Sequence, residues 1–204
     1  MLNIELIQLT IYSLALALLL VYLSQLPRFS LFLSSLLFIL LILGINVLPL
    51  WRGSSLVELA RGAIGDVSLM SGGLLILIIV NQFDFSDKRT AVLNRVEKCS
   101  LILVGFALYL SALGFISIDI YSWGYLTLWF PIAIALLAIL LILFERKFGV
   151  VLLLALTGFY FKTQFSNNLW DYLFDPVLWI VLLVDFVSFI IPNKPENDSG
   201  IKAY

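Results

Sequence analysis

Seven stretches of this 204-residue chain are apolar enough to be read as helices crossing a bilayer, and that pattern limits the fold before any other property does. They run from Glu5 to Leu23, Ser30 to Leu50, Val67 to Phe83, Cys99 to Ser117, Gly124 to Phe144, Phe148 to Phe161 and Pro176 to Pro192. A hydrocarbon core of about 30 Å needs roughly 17–25 helical residues. The sixth run is the shortest, with about 14 residues or roughly 21 Å of helix, so it needs local thinning or snorkelling by Lys147 and Lys162. The expected count is therefore seven spans, or six if that run fails to cross. The opening MLNIE has an acid and no basic segment, so the first run is expected to stay in the mature protein rather than serve as a signal peptide.

The composition agrees. Hydrophobic residues make up 62% of the chain and the mean hydropathy is +1.10, against about 45–50% apolar residues in soluble domains. A net charge of -1 provides no basic face for nucleic acid. Histidine is absent, which excludes Ser-His, Cys-His and His-metal mechanisms, and the single Cys99 excludes an internal disulfide. No metal or cofactor is expected. The fold class is all-α: one transmembrane helical domain over residues 1–192, then a polar tail over 193–204 whose Pro, Asn, Asp, Ser and Gly predict disorder. Gly72, Gly73, Gly105, Gly114 and the Ala133 to Ala138 stretch are expected to let helix backbones approach closely.

Lysine and arginine set the orientation. With alternating spans, one side carries Arg28, Lys88, Arg89, Arg95, Lys98, Arg146, Lys147, Lys194 and Lys202, and the other only Arg52, Arg61 and Lys162. That asymmetry predicts an outside N-terminus and a cytoplasmic C-terminus in a bacterial inner membrane. Trp51, Trp123, Trp129, Trp170 and Trp179 all fall in or near the outer connectors. Indole rings favour the headgroup level.

The outer connector RGSSLVELARGAIGDVS contains a helix-start signature, Ser55 with Glu58 three residues on. Leu56, Leu59, Ala60 and Ala63 would form the apolar stripe of a short helix lying on the outer surface. Gly62 or Gly65 would end it, Asp66 would cap the third span, and Glu58 would pair with Arg61. Capping and pairing cover every charge in this stretch except Arg52. The competing reading makes Glu58 and Asp66 catalytic carboxylates and uses Arg52 and Arg61 to hold an anionic group. Two residues separate the glycines in GAIGD, so the Gly-x-Gly-Asp element of intramembrane aspartyl proteases is missing. The paired aspartates of small lipid-headgroup transferases and a phosphate loop are missing as well.

A second outer cluster is KTQFSNNLWDYLFDP. Asn168, Asp171 and Asp175 are read on one helical face, with Leu169, Trp170, Leu173 and Phe174 lying in the interface. Asp175 before Pro176 is the expected cap of the last span. Asp171 has no local explanation, which makes it a third catalytic candidate and an expected partner of Arg52 or Arg61 in headgroup binding. Asp119 reads as a surface acid. Asp185 stands about nine residues from Pro176 and seven from Pro192, near the expected midplane, where an ionised acid costs roughly 2.5–3.5 kcal/mol. With no basic residue at that depth, it is expected either to be protonated and bonded to Ser188 or a neighbouring helix, or to line a hydrated path.

Two functional classes follow. The first is a non-catalytic bundle (an accessory, carrier or assembly protein) whose partners are lipid, another membrane protein or a lipid headgroup. The second is an outer-face enzyme acting on a lipid-linked or anionic-headgroup substrate. The topology is directly testable: a reporter fused after Tyr204 is expected to be active only in its cytoplasmic form, and one inserted at Ser54 only in its exported form. The reverse pattern would remove the outer-face assignment.

Overall fold

The computed structural model describes residues 4–23, 31–51, 53–83, 91–126 and 128–190. Ten helices and one two-stranded ribbon lie among them. Seven helices are long: α1 (Ile4–Leu23), α2 (Leu31–Val47), α4 (Leu69–Phe83), α5 (Arg95–Ala112), α7 (Trp129–Leu143), α8 (Lys147–Tyr160) and α10 (Pro176–Ile190). Three are short: α3 (Leu56–Ile64), α6 (Trp123–Leu126) and α9 (Leu169–Leu173). The strands β1 (Pro49–Trp51) and β2 (Ser54–Ser55) pair antiparallel between α2 and α3, a ribbon that hydropathy did not announce. The helical class is as expected. By length and composition α1 suffices to cross a bilayer, with an 18-residue window of mean hydropathy 2.1, whereas α2, α4, α7, α8 and α10 contribute shorter apolar helices. Arg52 and the 193–204 tail lie outside the described residues.

The α3–α4 connection organises one half of the molecule. Gly65 closes α3 at φ 91°, a backbone angle that L side chains rarely adopt, and its amide bonds the Arg61 carbonyl. Residues 65–68 are then non-helical, so their backbone groups need outside partners. Gln8, fully buried on α1, supplies two: its Nε2 donates to the Val67 carbonyl and its Oε1 accepts the Val67 amide, each at 3.0 Å. The Tyr12 hydroxyl, one turn further along α1, donates to the Gly65 carbonyl at 2.6 Å. From the segment after α8, Gln164 Nε2 donates to the same Val67 carbonyl at 2.7 Å.

Polar contacts elsewhere fix the directions of the helices. Gln164 meets Val67 at one end of the α4–α8 pair, and Lys147 Nζ donates to Asn81 Oδ1 at 3.1 Å at the other, so these two helices run antiparallel. α5 and α10 also run antiparallel, joined by Lys98–Asp185 and by Trp179 Nε1 donating to the Ile102 carbonyl at 3.2 Å. The Trp179 ring packs 4.9 Å from Phe106 and 4.7 Å from Tyr109, inside this pair rather than in an outer belt. α7 and α8 form a hairpin in which Gly149 approaches the Ala138 carbonyl so closely that an added Cβ would lie 2.5 Å from it. Gly72, Gly73 and Gly105 do face side chains of other helices, whereas Gly114 instead follows the end of α5 in open space.

The core is mainly apolar, yet several polar side chains share it and many apolar ones face outward. Gln8, Ser68, Asn168 and Asp175 are buried, while Ile132, Leu136, Leu140, Ile180, Val181 and Val184 stand exposed along α7 and α10. Two expected surface stripes are corrected by the same measure. On α3 Leu56, Leu59 and Ala60 are half-buried as the stripe requires, but the fully buried residue is Val57 and Ala63 is exposed, because the contact face turns toward α1 and α2. On α9, Leu169, Leu173 and Phe174 are buried against α4 and α8, so that helix plugs the end of the bundle instead of lying flat on it.

Replacing Gln8 by Leu leaves the buried Val67 amide without its acceptor, and Gln164 cannot replace it because it serves only the carbonyl. Gln8→Leu is expected to lower unfolding stability of the purified protein by about 1–3 kcal/mol despite the more apolar side chain. Denaturant unfolding of wild type and variant measures the difference. An unchanged midpoint would mean that Gln8 does not hold the segment.

Candidate functional site

The end of the molecule that carries residues 65–68 also carries most of the residues singled out in the sequence. Glu58 is the N3 residue of α3: its Oε2 accepts the Ser55 amide at 2.8 Å while its own amide donates to Ser55 Oγ at 3.3 Å, a complete capping box. It does not pair with Arg61. Arg61 Nε donates instead to Asp66 Oδ1 at 2.8 Å, and its Nη1 lies 3.6 Å from Glu5 Oε1. The expected cap of α4 therefore moves from Asp66 to Ser68, whose Oγ accepts the Ser71 amide at 3.1 Å. Gly65 has turned the chain, so Asp66 reaches back toward α3. Glu5, Leu9, Glu58, Arg61, Gly62, Gly65 and Asp66 line an open cleft of about 480 Å³, within the range of small-molecule sites.

Asp175 sits behind that cleft and is buried. Its Oδ1 accepts the Leu178 amide at 2.9 Å and so caps its own helix, α10. Its Oδ2 accepts the Ser68 amide at 3.0 Å, Ser68 Oγ at 2.6 Å and Ser71 Oγ. One carboxylate thus serves two helix N-termini, both of which favour negative charge. The cap was expected; the link across 107 residues was not.

Asp171 is held in a separate cluster. Tyr121 OH donates to its Oδ1 at 2.8 Å and Ser166 Oγ donates to its Oδ2. Burial, then the bond to Asp171, pushes the Tyr121 phenol well above its ordinary value, which keeps it a donor. Fully buried Asn168 completes the cluster, accepting the Trp170 amide at 2.9 Å and donating to the Tyr121 carbonyl at 3.0 Å. The expected pairing of Asp171 with Arg61 is corrected: each carries its own partners, because α9 packs on α4 and α8 whereas α3 packs on α1 and α2.

Among the described residues, the opposite end holds the ion pairs Glu97–Arg146 and Lys98–Asp185. Asn94 and Glu97 form a second capping box, with both bonds at 2.7 Å, which starts α5 at Arg95, a turn before the apolar run. In that turn Glu97 is 7% exposed and takes two parallel bonds from Arg146, Nε to Oε1 and Nη2 to Oε2, each at 2.9 Å. The early start also brings Lys98 into the helix. Its Nζ contacts Asp185 Oδ2 at 2.6 Å, so the expectation of an acid without a cation is corrected. Asp185 is half exposed, and Ser188 Oγ donates to the Val184 carbonyl rather than to it. Gln8, Gln164, Ser68, Glu97 and Lys98 are the residues that sequence reading passed over. Only Glu97 had a local signal, the Asn-x-x-Glu spacing.

Among the described residues, no three of the His, Cys, Asp or Glu side chains gather as a metal site. Comparison with family models, with curated proteins and with solved structures found no match for this chain.

Burial raises the Glu97 carboxyl, but the Arg146 hydrogen bonds, the Asn94 amide and the Arg146 charge together hold it below its ordinary 4.5. A carboxylate lowered on folding contributes stability above its unfolded value and loses it as pH falls through the folded one. Glu97→Gln keeps the capping geometry but removes the ion pair. Wild type is therefore expected to melt higher than Glu97→Gln at pH 7, with the gap closing as pH falls below about 4.5. A pH-independent gap would assign the Glu97 effect to packing.

Proposed function

We propose that this chain is a multi-pass integral protein of a bacterial inner membrane. Its seven long helices alternate in direction, with the N-terminus outside and the C-terminus cytoplasmic. It works without catalysis, as a small accessory, carrier or assembly protein. The observation that supports this most is the set of apolar side chains left exposed along the long helices. Leu, Ile and Val side chains on α7 and α10 stay half exposed or more, and each forgoes on the order of 1 kcal/mol or more if its solvent is water. Lipid removes that cost. It also demands that interior backbone be satisfied within the protein, as the buried Val67 amide and carbonyl and the Ser68 amide are. The two ends also fit opposite interfaces: Lys98, Arg146 and Lys147 lie at one, and Trp51, Trp123, Trp129 and Trp170 belong to the segments at the other.

Against the enzyme reading stands the employment of its candidates. Glu58 starts α3, Asp66 holds Arg61, and Asp171 is bound by Tyr121 and Ser166 in a different cluster. Glu58 and Asp66 do line one cleft, so it is these engagements that weigh against catalysis: Glu58 is bonded to the Ser55 amide and Asp66 to Arg61. The test is complementation of a deletion strain. Glu58→Gln, Asp66→Asn and Asp171→Asn, singly and combined, are expected to restore growth or fitness as well as wild type at equal protein abundance. Loss of complementation by a variant that accumulates normally would favour a catalytic carboxylate.

A further inference from the structure

We propose that the cleft between α1 and α3 is a binding site for the phosphoethanolamine headgroup of an aminophospholipid, an inference that rests on the membrane reading above. The cleft holds about 480 Å³, enough for a headgroup and several waters at about 30 Å³ each. Its chemistry is mixed in sign. Among the described residues that line it, Glu5, Glu58 and Asp66 stand against Arg61, three carboxylates to one guanidinium, which disfavours a purely anionic headgroup. A headgroup that offers a cation beside a phosphate answers both signs.

The atoms left over point the same way. Arg61 uses Nε on Asp66 and holds Glu5 only at 3.6 Å, leaving Nη2 without a hydrogen-bond partner among the described residues. Its side chain is 20% exposed, poised to offer that edge to phosphate oxygen. Glu58 lines the cleft and uses Oε2 on the Ser55 amide, which leaves Oε1 without a hydrogen-bond partner among the described residues. A primary ammonium has three N–H donors for such carboxylates; a quaternary choline has none, and no aromatic ring lines the cleft to hold one. The flanks suit a lipid rather than a free amine: Leu9 lines the cleft, and Leu6 and Ile64 stand exposed on α1 and α3.

The experiment purifies the full chain in mild detergent and equilibrates it with an equimolar mixture of phosphatidylethanolamine, phosphatidylcholine and phosphatidylglycerol. Retained lipid is then counted by native mass spectrometry. Phosphatidylethanolamine is expected to be enriched about three- to tenfold over both others, the range for one or two half-exposed charge-assisted contacts. Glu58→Gln keeps the capping box, since glutamine serves at that position, and Glu5→Gln changes an exposed side chain. Each is expected to cut the enrichment with the melting temperature unchanged. Equal retention of the three lipids, preference for phosphatidylglycerol, or enrichment that survives both substitutions would overturn the site. Soluble O-phosphoethanolamine is expected to compete only weakly, and binding as tight as the lipid's would overturn the lipid as its source. A chain that holds no phospholipid and stays dispersed without detergent would instead refute the membrane reading itself.

Discussion

The structure depends on a break in the helical ladder. Between α3 and α4 residues 65–68 leave the helical ladder, and three distant elements bond the Gly65 carbonyl, the Val67 amide and carbonyl and the Ser68 amide: Gln8 and Tyr12 from α1, Gln164 from the segment after α8, and Asp175 from the start of α10. An unpaired buried backbone group costs about as much as a lost hydrogen bond, so each partner is constrained to its place. Docking α1, α8 and α10 around that segment sets the start of α4 and, through it, one wall of the cleft.

Polar contacts carry this burden for a physical reason tied to the proposed environment. Lipid is as apolar as leucine, so burying leucine between helices gains little there, and close packing with hydrogen bonds must choose the partners. The Gly149–Ala138 approach supplies packing for α7 and α8. Glu97–Arg146 and Lys98–Asp185 tie α5 to the α7–α8 hairpin and to α10. The desolvation cost of the buried Glu97 carboxylate is offset by a two-bond geometry and by the Asn94 amide, which leaves neither oxygen idle.

What was legible in the sequence was local. Ser55–Glu58 and Asp175–Pro176 are signals within four residues, and both act as caps in the structure. Apolar runs located the long helices to within a turn or so at most ends. α5 began early because the Asn94–Glu97 signal lies in a stretch that hydropathy reads as a loop. Partner choice was not legible. Gln8 and Val67 are 59 residues apart, Lys98 and Asp185 are 87, and a helix apolar nearly all round gives no period from which to infer which face meets which neighbour. Asp171 and Arg61 were joined on charge alone, which says nothing about whether their helices share a wall.

Amide hydrogen exchange of the protein in phospholipid nanodiscs tests the central constraint most directly. If residues 65–68 are held as described, the Val67 and Ser68 amides, bonded to Gln8 and Asp175, exchange as slowly as those inside α4, and Gln8→Leu speeds Val67 selectively. Exchange of both amides in wild type as fast as that of the exposed Ser117 loop would show that the segment is not clamped, and that the packing of α1, α4 and α10 has another origin.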